Sequence, residues 1–281
     1  MDVWNHVGFS KITLKPLWDY IQVNNIPVHN NPQLHMASIQ MYSSNPHWPW
    51  IESYLRSNNK RWISDTIFSK EELQQAQWMY VRSEWVTGYP QPMDGFGYET
   101  ITYTREDHCK DCGIGLEQVD CFRMTKAPSW DRRHFFSLFW VSDELFVSEA
   151  VKNAFCTDGI TGVEFIPVKN KSGTKEFEGI FQLRIHHVLE EGLILDERTI
   201  RSTTVCDKCG RRKSWGNDGV MLQFKRQIFD NAPDIVKTGD NFGVAGNKSS
   251  ERRIVISQKV YQCIVKHNLG KNLMFYPIEL V

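Results

Sequence analysis

The 281-residue chain carries 33 Lys plus Arg against 33 Asp plus Glu, so its formal net charge is zero. No global field would draw it to nucleic acid or to an anionic membrane, and any such binding would have to be local. With 41% hydrophobic residues and ten tryptophans the composition is globular, and the chain is long enough to build a core without a metal or a disulfide.

The first residues, MDVWNHVGFSKITLKPL, lack the basic start and apolar run of a secretory signal. Residues 1–88 read as a separate, mostly helical or irregular region, dense in Asn, Trp and Pro, that ends in a helix. In that helix Ser69 and Glu72 form an S-x-x-E capping box, and Leu73, Ala76 and Tyr80 share a face. TGYPQPMDGFG then reads as a loop. YETITYTREDHC alternates as a strand leading into Cys109, and RTIRSTTVC does the same into Cys206. FFSLFWVSDELFV is the richest apolar stretch. Ser137, Ser142, Asp143 and Glu144 break it, and it is too short to span a bilayer, so the expectation is a cytoplasmic protein with no membrane partner.

An internal echo organises the rest. Residues 139–168 and 254–280 both read as an apolar strand, a serine, a helix, a glycine, and a strand ending in aromatic-x-Pro-aliphatic. Ser142 and Ser257 are suited to cap the helices, Asp143 and Glu144 favour a helix start, and Gly159 and Gly270 suit a left-handed close. Val147, Ala150, Val151, Ala154 and Phe155 follow the spacing of a buried helix face. Each echo is preceded by C-x-x-C-G. The expected fold class is therefore α+β, with two related β-α-β halves at 89–190 and 191–281, each bearing a knuckle and together forming one compact domain. An insertion with its own strand near Val220 to Phe224 lengthens the second half.

Seven cysteines is an odd number, and a reducing compartment disfavours disulfides, which turns attention to metal. In a C-x-x-C-G turn two thiolates converge on one ion, and the glycine supplies the positive φ that aims backbone N–H groups at sulfur. Cys109, Cys112, Cys206 and Cys209 thus offer the four soft ligands of a structural Zn2+. Four thiolates close the coordination shell, which favours a structural over a catalytic ion. One shared site would clamp the halves. Alternatively each knuckle recruits its own partners, His108 or Cys121 for the first and His186 or His187 for the second. A redox C-x-x-C would open a helix, whereas here turns follow. Cys121, Cys156 and Cys263 read as packing residues.

His186 and His187 lie in an alternating stretch and so point to opposite faces. No G-x-S-x-G, phosphate-cradling glycine loop or H-E-x-x-H is present. The expectation is a non-enzymatic protein. One local basic cluster, Lys208, Arg211, Arg212 and Lys213 beside Trp215, suits a solvated hairpin tip, an acidic protein partner or nucleic acid.

On GYPQP (88–92), YETITY (98–103), CKDCGIG (109–115), WVSDELFVS (140–148), TGVEFIPV (161–168) and CDKCG (206–210), the chain resembles the double-CxxCG motif proteins over residues 69–281. These bacterial proteins include immunity factors encoded beside secreted or contact-delivered toxins. The resemblance implies a protein that neutralises a cognate protein toxin by binding it, with no catalytic residues and the four cysteines as zinc ligands. A nucleic-acid-associated zinc-ribbon module is the alternative. The sequence is silent on oligomeric state and on the toxin's identity.

Overall fold

The computed structural model describes residues 1–31, 35–217, 219–244 and 246–281. The chain divides into two compact units. One is Met1–Glu72 with Gly219 and Val220, and the other is Leu73–Asn217 with Met221–Val281. Among the described residues no helix is long and apolar enough to cross a membrane.

The first unit is built on a sheet, in place of the mostly helical or irregular region expected. Its strands β1 (Asp2–Ser10), β2 (His29–Asn31), β3 (Met36–Tyr42) and β4 (Ile63–Ile67) pair antiparallel in the order β2-β3-β1-β4, with helices α1 (Lys15–Val23) and α2 (Trp48–Ser57) between them. Both helices open on a proline at the first turn, where a missing N–H costs nothing. Val7, Phe9, Ile39 and Met41 face Leu17, Ile21, Ile51 and Leu55 in one core. The strand pattern of β1 is masked by buried Asn5, which stands where an apolar residue would mark the period. Asn5 Nδ2 donates to Val3 O (3.1 Å), and its Oδ1 accepts from Trp62 Nε1 (3.0 Å).

The Ser69–Glu72 box forms as expected: the Glu72 N–H donates to Ser69 Oγ and the Ser69 N–H to Glu72 Oε2. The helix it starts, α3 (Lys70–Gln75), is short, and the chain turns to strand at β5 (Trp78–Ser83), so Tyr80 lies on a strand. YETITY also departs from expectation. Tyr98–Thr102 is a helical turn, α4, whose Tyr98 and Thr102 are buried four residues apart, and only β6 (Tyr103–Thr104) is strand.

The second unit continues through β7 (Glu117–Gln118), β8 (Arg123–Met124), β9 (Phe135–Leu138), β10 (Val141–Ser148), α5 (Glu149–Thr157), β11 (Glu164–Asn170) and β12 (Glu176–Arg184). There follow β13 (Ile200–Val205), β14 (Arg212–Gly216), β15 (Gln223–Phe224), β16 (Ile235–Lys237), β17 (Asn241–Phe242), β18 (Ile254–Ser257), α6 (Gln258–Lys266), β19 (Leu273–Pro277) and β20 (Glu279–Leu280). Two sheets dominate, β8-β11-β12-β10-β9 and β16-β18-β5-β19. The run β9-β10-β12-β11 of the first has the order and the antiparallel pairings of β16-β18-β5-β19 in the second. In each, a helix links the strands on either side of a central one. In the second sheet that central strand is β5, from upstream of the first knuckle, whereas in the first it is β12, which follows β11 after a short turn.

The first of the two helices starts later than the sequence suggested, whereas the second follows Ser257 as expected. Ser142, Asp143 and Glu144 lie in β10, and α5 begins only after Ser148. The physical reason is that Leu145, Phe146 and Val147 are buried on both faces of β10, Leu145 and Val147 against one core and Phe146 against another, so the strand must run on. Ser148 and Ser257 then hold the same N-cap backbone (φ −77°, ψ 164° and φ −72°, ψ 162°). Their hydroxyls bond sideways, to His134 Nδ1 (2.9 Å) and Asp234 Oδ1 (3.0 Å), instead of closing the helix. Gly159 (φ 62°) closes α5, and Asn268 (φ 55°) stands in its place after α6, ahead of Gly270. Val151, Phe155, Val260 and Ile264 pack with strand residues of both sheets into a single core.

Glu144 is buried rather than solvated at a helix start. It meets Lys237 Nζ on β16, accepts from Gln182 Nε2 (3.0 Å), and Gln182 exchanges two amide bonds with Gln118 (2.8 and 2.7 Å). Burial lifts the neighbouring Asp143 carboxyl to about 6, against the pull of Lys237 at 4.0 Å.

Candidate metal centre

Both C-x-x-C-G turns fold identically at the backbone. Gly113 N–H donates to Cys109 O (2.7 Å) and Cys109 N–H to Ile114 O (2.8 Å). Gly210 N–H donates to Cys206 O (2.8 Å) and Cys206 N–H to Arg211 O (2.9 Å). Gly113 (φ 78°) and Gly210 (φ 71°) adopt the left-handed turn that only glycine takes without strain. This lets the N–H of Ile114 reach Cys112 sulfur and that of Arg211 reach Cys209 sulfur. The first turn follows β6 and the second caps the β13-β14 hairpin.

The knuckles face each other. Cys109 Sγ lies 3.8 Å from Cys206 Sγ and Cys112 Sγ lies 3.6 Å from Cys209 Sγ, and all four sulfurs are within 4.8 Å of one another. A tetrahedral ion about 2.3 Å from each thiolate would separate the sulfurs by about 3.8 Å. The four cysteines therefore converge closely enough to hold one metal ion. All seven cysteines are free thiols.

No family model and no curated protein matches this chain. The chemistry of the centre thus has to be read from its own residues. His108 and Cys121 do not join the first knuckle: His108 Nδ1 is buried without a partner, and Cys121 sits beside Asp120. His186 and His187 lie beyond the end of β12, His186 Nε2 pairs with Glu164 Oε2 (2.9 Å), and neither belongs to the group that converges at the second knuckle.

The basic cluster beside the second knuckle turns largely inward. Arg211 Nε donates to Cys209 Sγ (3.5 Å), while its terminal nitrogens reach Asp107 Oδ2 (2.7 Å) and Asp107 O (2.6 Å), tying the second knuckle to the approach of the first. That hydrogen bond draws the Cys209 thiol down to about 6, whereas burial pushes Cys112 up to about 12. Lys213 is 3% exposed, and its ammonium donates to the carbonyls of Cys112 (3.2 Å), Ser249 (3.1 Å) and Asn247. A divalent ion held by four thiolates is left dianionic, and Lys213 and Arg211 are the cations placed to balance it. Arg212 pairs with Glu191 (3.0 Å) and lies 3.8 Å from buried Asp240. Lys208 and Trp215 are exposed. Sequence reading placed Lys213 on a solvated tip; only the packing of 247–249 over the first knuckle reveals it as an internal cation.

The two glycines behind the knuckles differ in surroundings. A Cβ on Gly113 would lie 2.2 Å from Lys248 O, whereas one on Gly210 would meet nothing within 4 Å. Gly210→Ala is expected to cost only the left-handed backbone penalty, about 1–2 kcal/mol. Gly113→Ala should cost clearly more and lower metal content as well, as checked by urea denaturation and elemental analysis. Equal losses at the two positions would refute the role given to 248–249. Gly115 is likewise required: its Cβ would fall 2.1 Å from Asp107 O, and 2.7 Å from Arg211 Nη1, where Arg211 crosses.

Proposed function

We propose that the four cysteines bind one structural Zn2+ that clamps two related halves, and that the protein is a non-enzymatic, cytoplasmic immunity protein that neutralises a cognate toxin by direct binding. Support for related halves is the recurrence of strand order, the equal 97-position spacing of the paired cysteines and the matching serine caps. On this reading β5, which precedes the first half, completes the second half's sheet, so zinc and strand pairing hold the same pieces together. The likeness to double-CxxCG motif proteins suggests the immunity role.

The observation that carries a binding role is an exposed aromatic cluster. Tyr89 stacks on Phe139 (4.7 Å), and Trp140 packs against Tyr89 (4.7 Å) and Phe96 (4.7 Å), yet Phe96 and Trp140 remain 50% and 48% exposed. Both adopt left-handed backbone, at φ 56° and 70°. Bulky residues held there cost of order 1–3 kcal/mol; at Trp140 the β9-β10 hairpin turn imposes that backbone, which a small residue would meet more cheaply. Large exposed aromatics are the usual anchors of protein interfaces. Tyr89 and Trp140 also lie within GYPQP and WVSDELFVS. The inward commitment of Arg211, Arg212 and Lys213 makes a nucleic-acid role the weaker reading.

The test is co-expression with the toxin-like product of the neighbouring reading frame. Wild-type chain should bind it and rescue growth. Trp140→Gly and Phe96→Ala should each weaken binding at least about 30-fold while zinc content and fold persist. Failure of the wild type to bind or protect against that neighbour would overturn the immunity role, and unaltered binding by both variants would overturn the aromatic surface.

A further inference from the structure

A second set of metal-type side chains lies where the two equivalent helices end. Asp158 is the C-cap residue of α5 and His267 the C-cap residue of α6, and Cys263 stands one turn before His267 on the same helix face. Asp158 Oδ2 is 3.2 Å from His267 Nε2, and one ligand atom from each of Asp158, Cys263 and His267 lies within 4.8 Å of the other two. The Cys263 thiol also hydrogen-bonds Asp158. Lys266 Nζ engages the other carboxylate oxygen, Oδ1, at 2.7 Å, which fixes the carboxylate and leaves Oδ2 turned to the histidine. Among the described residues this is one of two convergent groups of Cys, His, Asp or Glu, the other being the four-cysteine centre.

We infer that Asp158, Cys263 and His267 form a second, three-ligand site for a borderline divalent transition-metal ion, of which Zn2+ is the natural occupant. A carboxylate oxygen, an imidazole nitrogen and a thiolate within 4.8 Å of one another are the mixed set that such ions select, and three protein ligands leave a fourth position open. Binding releases the thiol proton to solvent and replaces the Asp158–His267 and Asp158–Cys263 hydrogen bonds by three metal bonds. Cys263 is 2% exposed and gives the site a dry floor, while the His267 side chain, 31% exposed, marks the way in. Thiolate and carboxylate neutralise the divalent ion, and Lys266 balances nothing further, so the site needs no additional buried charge.

The test uses the full chain, stripped with a chelator and then dialysed against Zn2+ or Co2+ alone. Elemental analysis should find two zinc ions per chain in the wild type and one in His267→Gln and in Cys263→Ser. The half-exposed His267→Gln keeps the test valid should the buried Cys263→Ser fail to fold. In Co2+-loaded protein, His267→Gln should remove a ligand-field component distinct from the intense thiolate-to-cobalt bands of a four-cysteine site. Those bands should persist in His267→Gln and fall in Cys109→Ser, which separates this site from the knuckle centre. One zinc per chain in the wild type with the four-thiolate spectrum intact would overturn the proposal, as would two zincs retained in folded His267→Gln.

Discussion

Cys109→Ser and Cys206→Ser are each expected to lose zinc from the knuckle centre and to unfold much of the second unit in the same step. A structural zinc contributes about 10–16 kcal/mol of apparent binding free energy, against about 5–15 kcal/mol for the stability of a whole domain. The sulfurs are 3.6 and 3.8 Å apart across the knuckles, so one lost ligand breaks a tie between segments 97 positions apart. Removing it also strands cations. Lys213, buried against carbonyls, and Arg211, donating to Cys209 Sγ, would lose the anionic centre they are placed to balance. Loss of metal by elemental analysis should coincide with loss of the cooperative transition in circular dichroism. A variant that is fully folded with unchanged knuckle zinc would refute the clamp. Chelation of the wild type should reproduce the effect.

Lys237→Met alone is expected to destabilise the chain by about 3–5 kcal/mol, because it leaves Glu144 charged and buried without its cation. Glu144 and Lys237 belong to β10 and β16, strands of different sheets, and Gln182 and Gln118 continue the network from Glu144. Glu144→Leu should be comparably costly, since Lys237 would then face only the half-buried Asp143. The double variant removes both charges together and should recover to within about 1–2 kcal/mol of wild type, as buried ion pairs replaced by apolar residues commonly do. A double-mutant cycle by urea denaturation at neutral pH reads the coupling. Additive losses would show that the pair is not the unit that matters.

What could be read in advance follows the range of the physics involved. The Ser69–Glu72 box and both knuckle turns were legible because they are closed by residues within five positions of each other. Misreadings occurred where distant packing outweighed local pattern. Ser142, Asp143 and Glu144 carry helix-start chemistry, but two cores press on β10 and keep it extended through Ser148. YETITY alternates in sequence, yet Tyr98 and Thr102 are buried four residues apart on a helical turn. Asn5 hid a strand because its partner, Trp62, comes from 57 positions away. Lys213 looked solvated because Asn247 and Ser249, which receive its ammonium, are more than thirty positions downstream.

The two knuckles, their glycines, the α+β class and the candidate four-thiolate ligand set were legible from residue order alone, since spacing within a turn and the φ tolerance of glycine are local properties. That the four sulfurs share one centre, that β5 completes a sheet of strands far along the chain, and that Asp158, Cys263 and His267 meet at two helix ends became visible only in the folded chain. The reason is that strand pairing and side-chain convergence across a core depend on contacts between residues far apart in the chain, to which no short-range periodicity corresponds.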